Sequence, residues 1–302
     1  MIVAEKTTEL TGHGNPIFTL ELSQKPGILF TGGNDKGLVE WSLANNSFIK
    51  VMFPVAASIY AVHGPSGHPL LFTGLRSGEV LVFNFIDQKI VKKLKHHKAA
   101  IFDIKSAKTK NELLVASEDG TVSVWSLETL EQLYAVKISH DTIRSISISP
   151  DEKLVAFGCR DNTIKIYDLA DYSLLKVLHG HTMPVFAVSF SPDSSYLVSG
   201  SRDAQLKIWD SLSFELIKNI PAHLFAVNHI AFHPSKPYFA SASMDKSIKI
   251  WGADDFKLYK IINREKGYDA HKLSVNKVAW NGDDLISVSD DKRVIIWHLS
   301  LD

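Results

Sequence analysis

The sequence lacks several features that would assign it to particular classes of protein. It has a single cysteine, Cys159, so no intramolecular disulfide can form, which is typical of a reducing compartment. No apolar run approaches the roughly 18 residues that a membrane span requires. The first ten residues, MIVAEKTTEL, have neither the basic nor the apolar region of a signal peptide. We therefore expect a soluble, cytoplasmic protein with no membrane partner.

An excess of charge of either sign is also missing, because 33 Lys and Arg residues balance 33 Asp and Glu residues. Proteins that hold nucleic acid through bulk charge carry a basic excess. We therefore do not expect nucleic acid as a partner. The most basic stretch, KKLKHHK at residues 92–98, is either a solvated strand edge or a contact for an anionic partner.

The sequence does contain a repeat that extends over the whole chain. An aromatic residue closes each unit, and five of the six steps between these residues are 42 residues long. Six residues before the aromatic residue stands an aspartate in six of the seven units. The aromatic residues are Trp41, Phe83, Trp125, Tyr167, Trp209, Trp251 and Trp297, and the residues before them are Asp35, Ser77, Asp119, Asp161, Asp203, Asp245 and Asp291. A constant period predicts one body built from similar units.

Each unit contains short alternating apolar runs separated by turn residues, which is the pattern of β-strands. In the fifth unit the pattern predicts strands at Val185–Phe190, Tyr196–Gly200, Leu206–Trp209 and Phe214–Ile220. Helical spacing is absent from the chain. Four strands in each of seven units predict an all-β protein of about 28 strands.

The repeat resembles that of the WD-repeat (WD40) β-propeller family. The resemblance rests on GHTMPVFAVSF followed by SGSRDAQLKIWD in residues 180–210, and on six variants of these motifs. It implies one domain over residues 1–302, a seven-bladed β-propeller of four-stranded antiparallel blades. Phe83 and Tyr167 depart from the family pattern because they replace its tryptophan, and aspartate follows the closing aromatic residue only at Asp168 and Asp210.

The two ends of the chain predict how the propeller closes. After Trp297 only five residues remain, too few for a fourth strand, whereas Ile2–Leu10 precedes the first unit as an unattached strand. We expect residues 1–10 to supply the outer strand of blade seven. Such closure removes two exposed strand edges.

Recurring histidine, serine and aspartate residues are the candidates for chemistry. His181, Ser199 and Asp203 are the residue types of a hydrolase triad. Because the set recurs in several units, we favour a structural role, and the resemblance implies a hydrogen-bonded tetrad with tryptophan in each blade. The full sets are His13, Thr31, Asp35, Trp41; His181, Ser199, Asp203, Trp209; His223, Ser241, Asp245, Trp251; and His271, Ser287, Asp291, Trp297. We expect no catalytic site, metal site or cofactor.

Three units depart from the tetrad pattern. In units three and four, Val115 and Phe157 occupy the serine position, so we expect these tetrads to be broken, although His97 and His140 stand near their entrances. The second unit has no entrance histidine, and Ser77 replaces its aspartate. If the two residues bond to each other, losing both together costs less than leaving one of them buried without a partner.

The resemblance implies that loops at one end of the propeller surround a central channel and dock peptides or proteins. One predicted ring consists of the residues before each turn aspartate: Asn34, Arg76, Glu118, Arg160, Arg202, Met244 and Asp290. A second ring precedes each first strand: Pro16, Ser58, Ala100, Thr142, Pro184, Ala226 and Ser274. Leu224 and Phe225 add an apolar sector, and Tyr268 lies in a longer loop, residues 263–269.

We therefore predict a non-catalytic protein–protein interaction scaffold that docks a peptide or protein on this face, as a monomeric propeller or a subunit of a larger complex. Arginine suits carboxylate or phosphate groups, so the sharpest hypothesis is an acidic or phosphorylated peptide laid across blades four to six. The alternatives are an enzyme or small-molecule binder that uses the channel, and a reader of histone-like or phosphorylated tails.

Overall fold

A computed structural model describes residues 2–301, which form 28 strands and one short 3₁₀ helix, Arg264–Lys266. The first fourteen strands are β1 Ile2–Leu10, β2 Ile17–Leu22, β3 Ile28–Gly33, β4 Gly37–Ser42, β5 Ser47–Pro54, β6 Ile59–His63, β7 Leu70–Leu75, β8 Glu79–Asn84, β9 Lys89–Lys95, β10 Ile101–Ala107, β11 Glu112–Ser117, β12 Thr121–Ser126, β13 Gln132–Lys137 and β14 Ile143–Ile148. The remaining strands are β15 Leu154–Cys159, β16 Ile164–Asp168, β17 Leu174–Leu178, β18 Val185–Phe190, β19 Tyr196–Ser201, β20 Gln205–Asp210, β21 Leu216–Pro221, β22 Val227–Phe232, β23 Tyr238–Ser243, β24 Ile248–Gly252, β25 Leu258–Ile262, β26 Val275–Asn281, β27 Asp284–Ser289 and β28 Val294–Leu301.

The strands form seven four-stranded antiparallel sheets, which are the blades of a β-propeller. Blade one contains β2–β5, and each of the next five blades contains the four strands that follow in the chain. The predicted all-β fold of seven blades is therefore confirmed. No helix among residues 2–301 has the length and apolar character that a membrane span requires.

Blade seven is built from both ends of the chain, because β1 pairs with β28 outside β26 and β27. The pairing is antiparallel and extends from Ile2 opposite Leu301 to Leu10 opposite Val294, with one register shift between Lys6 and Thr8. The prediction that the N-terminal strand closes the ring is confirmed.

The apolar core is divided among the interfaces between blades. Seven clusters of buried side chains are found, and each joins two neighbouring blades. The strand β1 contributes to two of them: Leu10 packs between blades seven and one, and Ile2 and Ala4 pack between blades six and seven. The side chains of β1 thus hold together three blades.

Every inner strand has the same irregularity near its start. The register of the pairing with the second strand shifts after the first residue, as between Val185 and Ala187 in blade five. Such a bulge re-aims the side chains that follow it. In blades three, four, six and seven two successive residues consequently line one cavity in the channel: Phe102 with Asp103, Arg144 with Ser145, Asn228 with His229, and Asn276 with Lys277.

Leu10→Ala tests the closure of the ring. Leu10 is buried in the cluster between blades seven and one, so its truncation should lower the free energy of unfolding by about 3 kcal/mol. Urea unfolding followed by circular dichroism measures the change. Val3→Ala is the matched control, because Val3 lies on the same strand but is exposed. Equal stability of the two variants would contradict the closing role of β1.

Candidate functional site

The four residues of each full set lie in one buried hydrogen-bond network. In blade five, the Nδ1 atom of His181 lies 2.9 Å from Asp203 Oδ2, and its Nε2 atom lies 2.8 Å from Ser199 Oγ. Trp209 Nε1 donates to the same Ser199 oxygen at 2.9 Å. The corresponding distances in the sets that begin with His13, His223 and His271 are 2.5–3.1 Å.

The protonation states explain how this network is satisfied. Burial raises the pKa of the Asp203 carboxyl group, but the hydrogen bond from His181 and nearby backbone N–H groups outweigh it and hold the pKa below its usual range. The charged aspartate accepts a hydrogen bond from His181 Nδ1, and in a neutral imidazole this leaves Nε2 to accept from the Ser199 hydroxyl. Ser199 is fully buried and its oxygen already receives the Trp209 N–H, so it has no access to a substrate.

Blade three keeps this network by moving one hydroxyl group. His97 bonds Asp119 at 2.7 Å and the Oγ atom of Ser123 at 2.9 Å, and Trp125 Nε1 donates to Ser123 at 2.8 Å. Ser123 lies on β12, directly opposite Val115 on β11. The prediction that Val115 breaks this tetrad was wrong, because its cross-strand partner supplies the hydroxyl group.

Blade four has a different substitution. His140 is exposed, and its neighbour Ser139 takes the buried position that histidine has in other blades. Ser139 Oγ donates to Asp161 Oδ2 at 2.8 Å, and the Lys165 ammonium lies 2.6 Å from the same oxygen. The entrance histidine inferred for this blade was therefore one residue out of position.

Blade two has lost the network and retains one of its members. Val55 and Ser77 stand at the positions of the histidine and aspartate, and Phe83 replaces the tryptophan. Thr73 remains at the serine position on β7, and its buried hydroxyl group has no hydrogen-bond partner among the described residues. A stacked contact between the rings of Phe53 and Phe83 lies at this interface instead.

The two predicted rings of the loop face are bonded to each other in all seven blades. In each blade the backbone N–H of the first-ring residue donates to the carbonyl group of the second-ring residue, as from Arg202 to Pro184 at 2.9 Å. The second ring lies mostly beneath the first, since Ser58, Ala100, Thr142 and Ala226 are buried. The expectation that both rings present side chains to a partner is corrected for these four residues. The seven bonded pairs are Asn34–Pro16, Arg76–Ser58, Glu118–Ala100, Arg160–Thr142, Arg202–Pro184, Met244–Ala226 and Asp290–Ser274.

The first ring presents arginine side chains and an apolar sector to the solvent. Arg76, Glu118, Arg160 and Arg202 are exposed, and Asp141 lies 3.8 Å from Arg160. At blade six, the exposed fractions of Leu224, Phe225 and Met244 are 80%, 59% and 55%. Exposed apolar side chains grouped in this way are typical of interaction surfaces. Asp290 differs, because it is half-buried and accepts a hydrogen bond from Asn276 at 2.7 Å.

The longer loop before blade seven is held against the blade. Its Asn263 side chain caps the 3₁₀ helix, and Asp269 lies 2.5 Å from the Lys6 ammonium on β1. Tyr268 is half-buried, with its ring 6.1 Å from that of Trp297. The loop therefore lies on the predicted face, but Tyr268 offers a partner less surface than the sequence suggested.

A row of aromatic side chains lines the mouth of the channel, and sequence reasoning missed it. The rings of Phe18 and Tyr60 lie 5.2 Å apart, and those of Tyr60 and Phe102 are stacked at 5.4 Å. The guanidinium group of Arg144 continues the row, 4.0 Å from the ring centre of Phe102 and 4.8 Å from that of Phe186. These residues recur every 42 positions, so the period could have found them.

Two other features from the sequence have structural roles. Residues 92–98 include the end of β9, an outer edge strand, where Lys95 pairs with Glu79 at 3.3 Å. Lysine on an edge strand opposes pairing with other chains. Cys159 is fully buried, and burial raises the pKa of its thiol to about 12, so the thiol is not activated as a nucleophile.

The model of the "WD domain, G-beta repeat" family matches residues 88–126, 131–168, 172–210, 214–252 and 263–298, which is more than half of the chain. The chain belongs to the WD40 family. Each match begins near the outer strand of one blade and continues through three strands of the next. Blade one and most of blade two of this WD40 propeller lie outside the matches. Blade two has lost the network around Thr73, whereas blade one keeps its full set.

Three curated relatives are similar to parts of this WD40 protein. COMPASS component SWD3 of Saccharomyces cerevisiae is 31% identical over 151 residues, which is 47% of this chain and 45% of that protein. Retinoblastoma-binding-like protein E of Dictyostelium discoideum is 37% identical over 71 residues, or 23% of this chain and 14% of the relative. A striatin homolog of the same organism is 26% identical over 137 residues, or 43% and 13%. The chain thus spans less than half the length of each.

A pair of isosteric substitutions tests the tetrad network. Thr31→Val leaves Trp41 and His13 without their shared partner, so it should lower the free energy of unfolding by about 1–3 kcal/mol. Thr73→Val is the matched control in blade two, where the hydroxyl group is already unpaired, and it should leave stability unchanged or raise it. Urea unfolding measures both. A comparable loss in Thr73→Val would show that hydrogen bonding is not the cause.

A rescue experiment tests the displaced hydroxyl group of blade three. Ser123→Val should destabilise the protein by about 1–3 kcal/mol, since His97 and Trp125 lose a shared partner. Adding Val115→Ser restores the hydroxyl group at the position opposite, as in the Thr31–Val39 pair of blade one. Most of the lost stability should return in urea unfolding. If the double variant is less stable than Ser123→Val alone, a hydroxyl group at position 115 does not replace the one at position 123.

Proposed function

We propose that this WD40 propeller is a non-catalytic scaffold that docks an acidic or phosphorylated segment of a partner protein on the loop face, across blades four to six. The observation that carries the proposal is the composition of that sector. Arg160 and Arg202 are exposed on blades four and five, and Phe225 and Met244 are exposed on blade six, which follows blade five in the ring. Arginine forks bind carboxylate and phosphate groups, while phenylalanine and methionine suit the centre of an interface.

The channel mouth supports an acidic segment rather than a basic one. A basic side chain from a tail could stack between two aromatic rings, but Arg144 of this chain already occupies the space between Phe102 and Phe186. An incoming cation would meet Arg144 and the nearby Arg160. This arrangement disfavours the alternative of a reader of basic, histone-like tails.

The scaffold role is also in keeping with the buried tetrads and with the relatives. The histidine, serine and aspartate sets that resemble a hydrolase triad are buried braces without access to substrate. Two of the relatives are named for membership of a complex or for binding another protein. A cytoplasmic location stays a prediction from the sequence.

Arg160→Ala combined with Arg202→Ala tests the docking sector. Affinity purification with quantitative mass spectrometry from the source cells should recover a reproducible partner with the unchanged protein and lose about 90% of it with the double variant, because two charge-assisted contacts are removed. Arg76→Ala is the matched control: it is the same residue type at the same ring position, but it lies in blade two.

The partner should be retained by Arg76→Ala. Full retention by the double variant, or equal loss in the control, would contradict the proposed sector. The double variant Met244→Asp, Phe225→Asp tests the apolar part of the same surface. Charged residues in this sector should abolish recovery of the partner as well. Thermal melting of each variant separates loss of binding from loss of folding.

A further inference from the structure

The mouth of the channel leads into a cavity of about 340 Å³ that the period and the family pattern do not explain. One side is formed by the aromatic row that ends with Arg144 and Phe186. The other side is polar, with Asn276 and Lys277 from blade seven and His229 from blade six. The size falls in the range of sites for small ligands or for one inserted side chain.

Two cations in this cavity form no ion pair within 4.0 Å among residues 2–301, although Glu118 acts on Arg144 from further away, and Asp103 and Glu21 act on Lys277. Arg144 is stacked between aromatic rings, and no carboxylate of the described chain lies within ion-pair distance of it. The contact of the Lys277 ammonium group is the Thr19 hydroxyl oxygen, at 3.2 Å. The carboxylate in the lining is Asp103, which already accepts the backbone N–H of Ile146 at 2.8 Å and lies 3.7 Å from Lys105. The two cations outnumber the one carboxylate of the lining, Asp103, so the lining has a net positive charge.

Two buried polar atoms in the same lining also lack partners. They are the Oγ atom of Ser145, a residue 8% exposed, and the Nδ1 atom of His229, and neither has a hydrogen-bond partner among the described residues. Buried polar groups are nearly always paired, because each unpaired one costs about 1–3 kcal/mol. Both atoms have almost no accessible surface, so each would reach a ligand only after its side chain rotated toward the cavity.

The donors available define the ligand. Burial, Lys277 and Lys105 together lower the pKa of His229 well below its usual range, so its imidazole is neutral and can donate one N–H. The Ser145 hydroxyl, the Arg144 guanidinium and the Lys277 ammonium are further donors. A set of donors with net positive charge, beside aromatic walls that exclude water, favours an anion whose oxygens accept several hydrogen bonds.

We infer that this cavity binds a single oxyanion, a carboxylate or a phosphate group, inserted from the loop face. The inference rests on the proposed function for the carrier of the anion, which is the acidic or phosphorylated segment docked around the channel. It goes beyond that proposal by assigning Arg144, Ser145, His229 and Lys277 as the residues that receive the group. The anion would lie below the exposed Arg160 and Arg202, which contact the segment outside.

The test uses three probes: inorganic phosphate, O-phosphoserine and glutarate, each titrated into the whole chain at constant ionic strength. Binding is followed by NMR through the His229 imidazole and the Ser145 amide signals. At least one probe should cause saturable shifts with a Kd of about 1 mM, a value usual for small fragments in a formed site. Response to phosphate and O-phosphoserine alone identifies a phosphorylated segment, and response to glutarate identifies an acidic one.

Lys277→Met keeps the length of the side chain and removes the charge, so it should weaken binding by about tenfold. Ser145→Ala is a second test variant, which removes a hydroxyl donor with little change in side-chain volume. Arg76→Ala is the control, since this cation is outside the cavity, and its affinity should stay within about twofold of the unchanged protein. No shift at His229 and Ser145 with any probe, or equal affinity in Lys277→Met, would overturn the inference.

The experiments distinguish a failure of the docking sector from a failure of the oxyanion site. The probes should still bind the Arg160→Ala, Arg202→Ala double variant, because the cavity is intact in it. If the probes bind but the double variant keeps its partner, the docking sector is wrong and the oxyanion site stands. If the double variant loses its partner but no probe binds, the oxyanion site is wrong and the docking sector stands.

Discussion

The packing of blade against blade is the interaction on which the rest of the structure depends. Each sheet has two faces and cannot bury both alone, so the apolar side chains form seven clusters between neighbouring sheets. If the ring of blades were open, a blade at its end would expose one sheet face and one strand edge to solvent. The strand β1 removes both, because it pairs with β28 and places Leu10 and Ile2 in two different clusters.

Because the interfaces provide the core, the polar tetrads can vary from blade to blade. Blade five has the full network, blade three supplies the hydroxyl group from Ser123 on the facing strand, and blade four replaces histidine with Ser139 and recruits Lys165. Blade two has lost the network and keeps Thr73 unpaired among the described residues. The variation suits a bracing role, because blades three and four bond their buried aspartates although one position of the usual set has changed.

The same scaffold places two kinds of surface at one end of the molecule. The outer loops present Arg160, Arg202 and an apolar sector, while the bulges of the inner strands turn successive residues into the channel. Arg144 connects the two levels, since it fills the aromatic slot at the mouth and borders the cavity beneath. We therefore regard the face and the channel as parts of one proposed site for an anionic segment.

The sequence alone predicted seven units of four strands from the period of 42 residues, and the strand count at the two ends predicted the closure by residues 1–10. The arrangement of the units as blades and the loop-face positions, such as Arg202, came from the resemblance to the WD-repeat family. Only the tertiary structure decided that Ser123 replaces the hydroxyl expected at Val115, since the two are separated in sequence and meet across a strand pair. The cavity around Lys277 and His229 was likewise hidden, because bulges and neighbours from different blades bring its residues together.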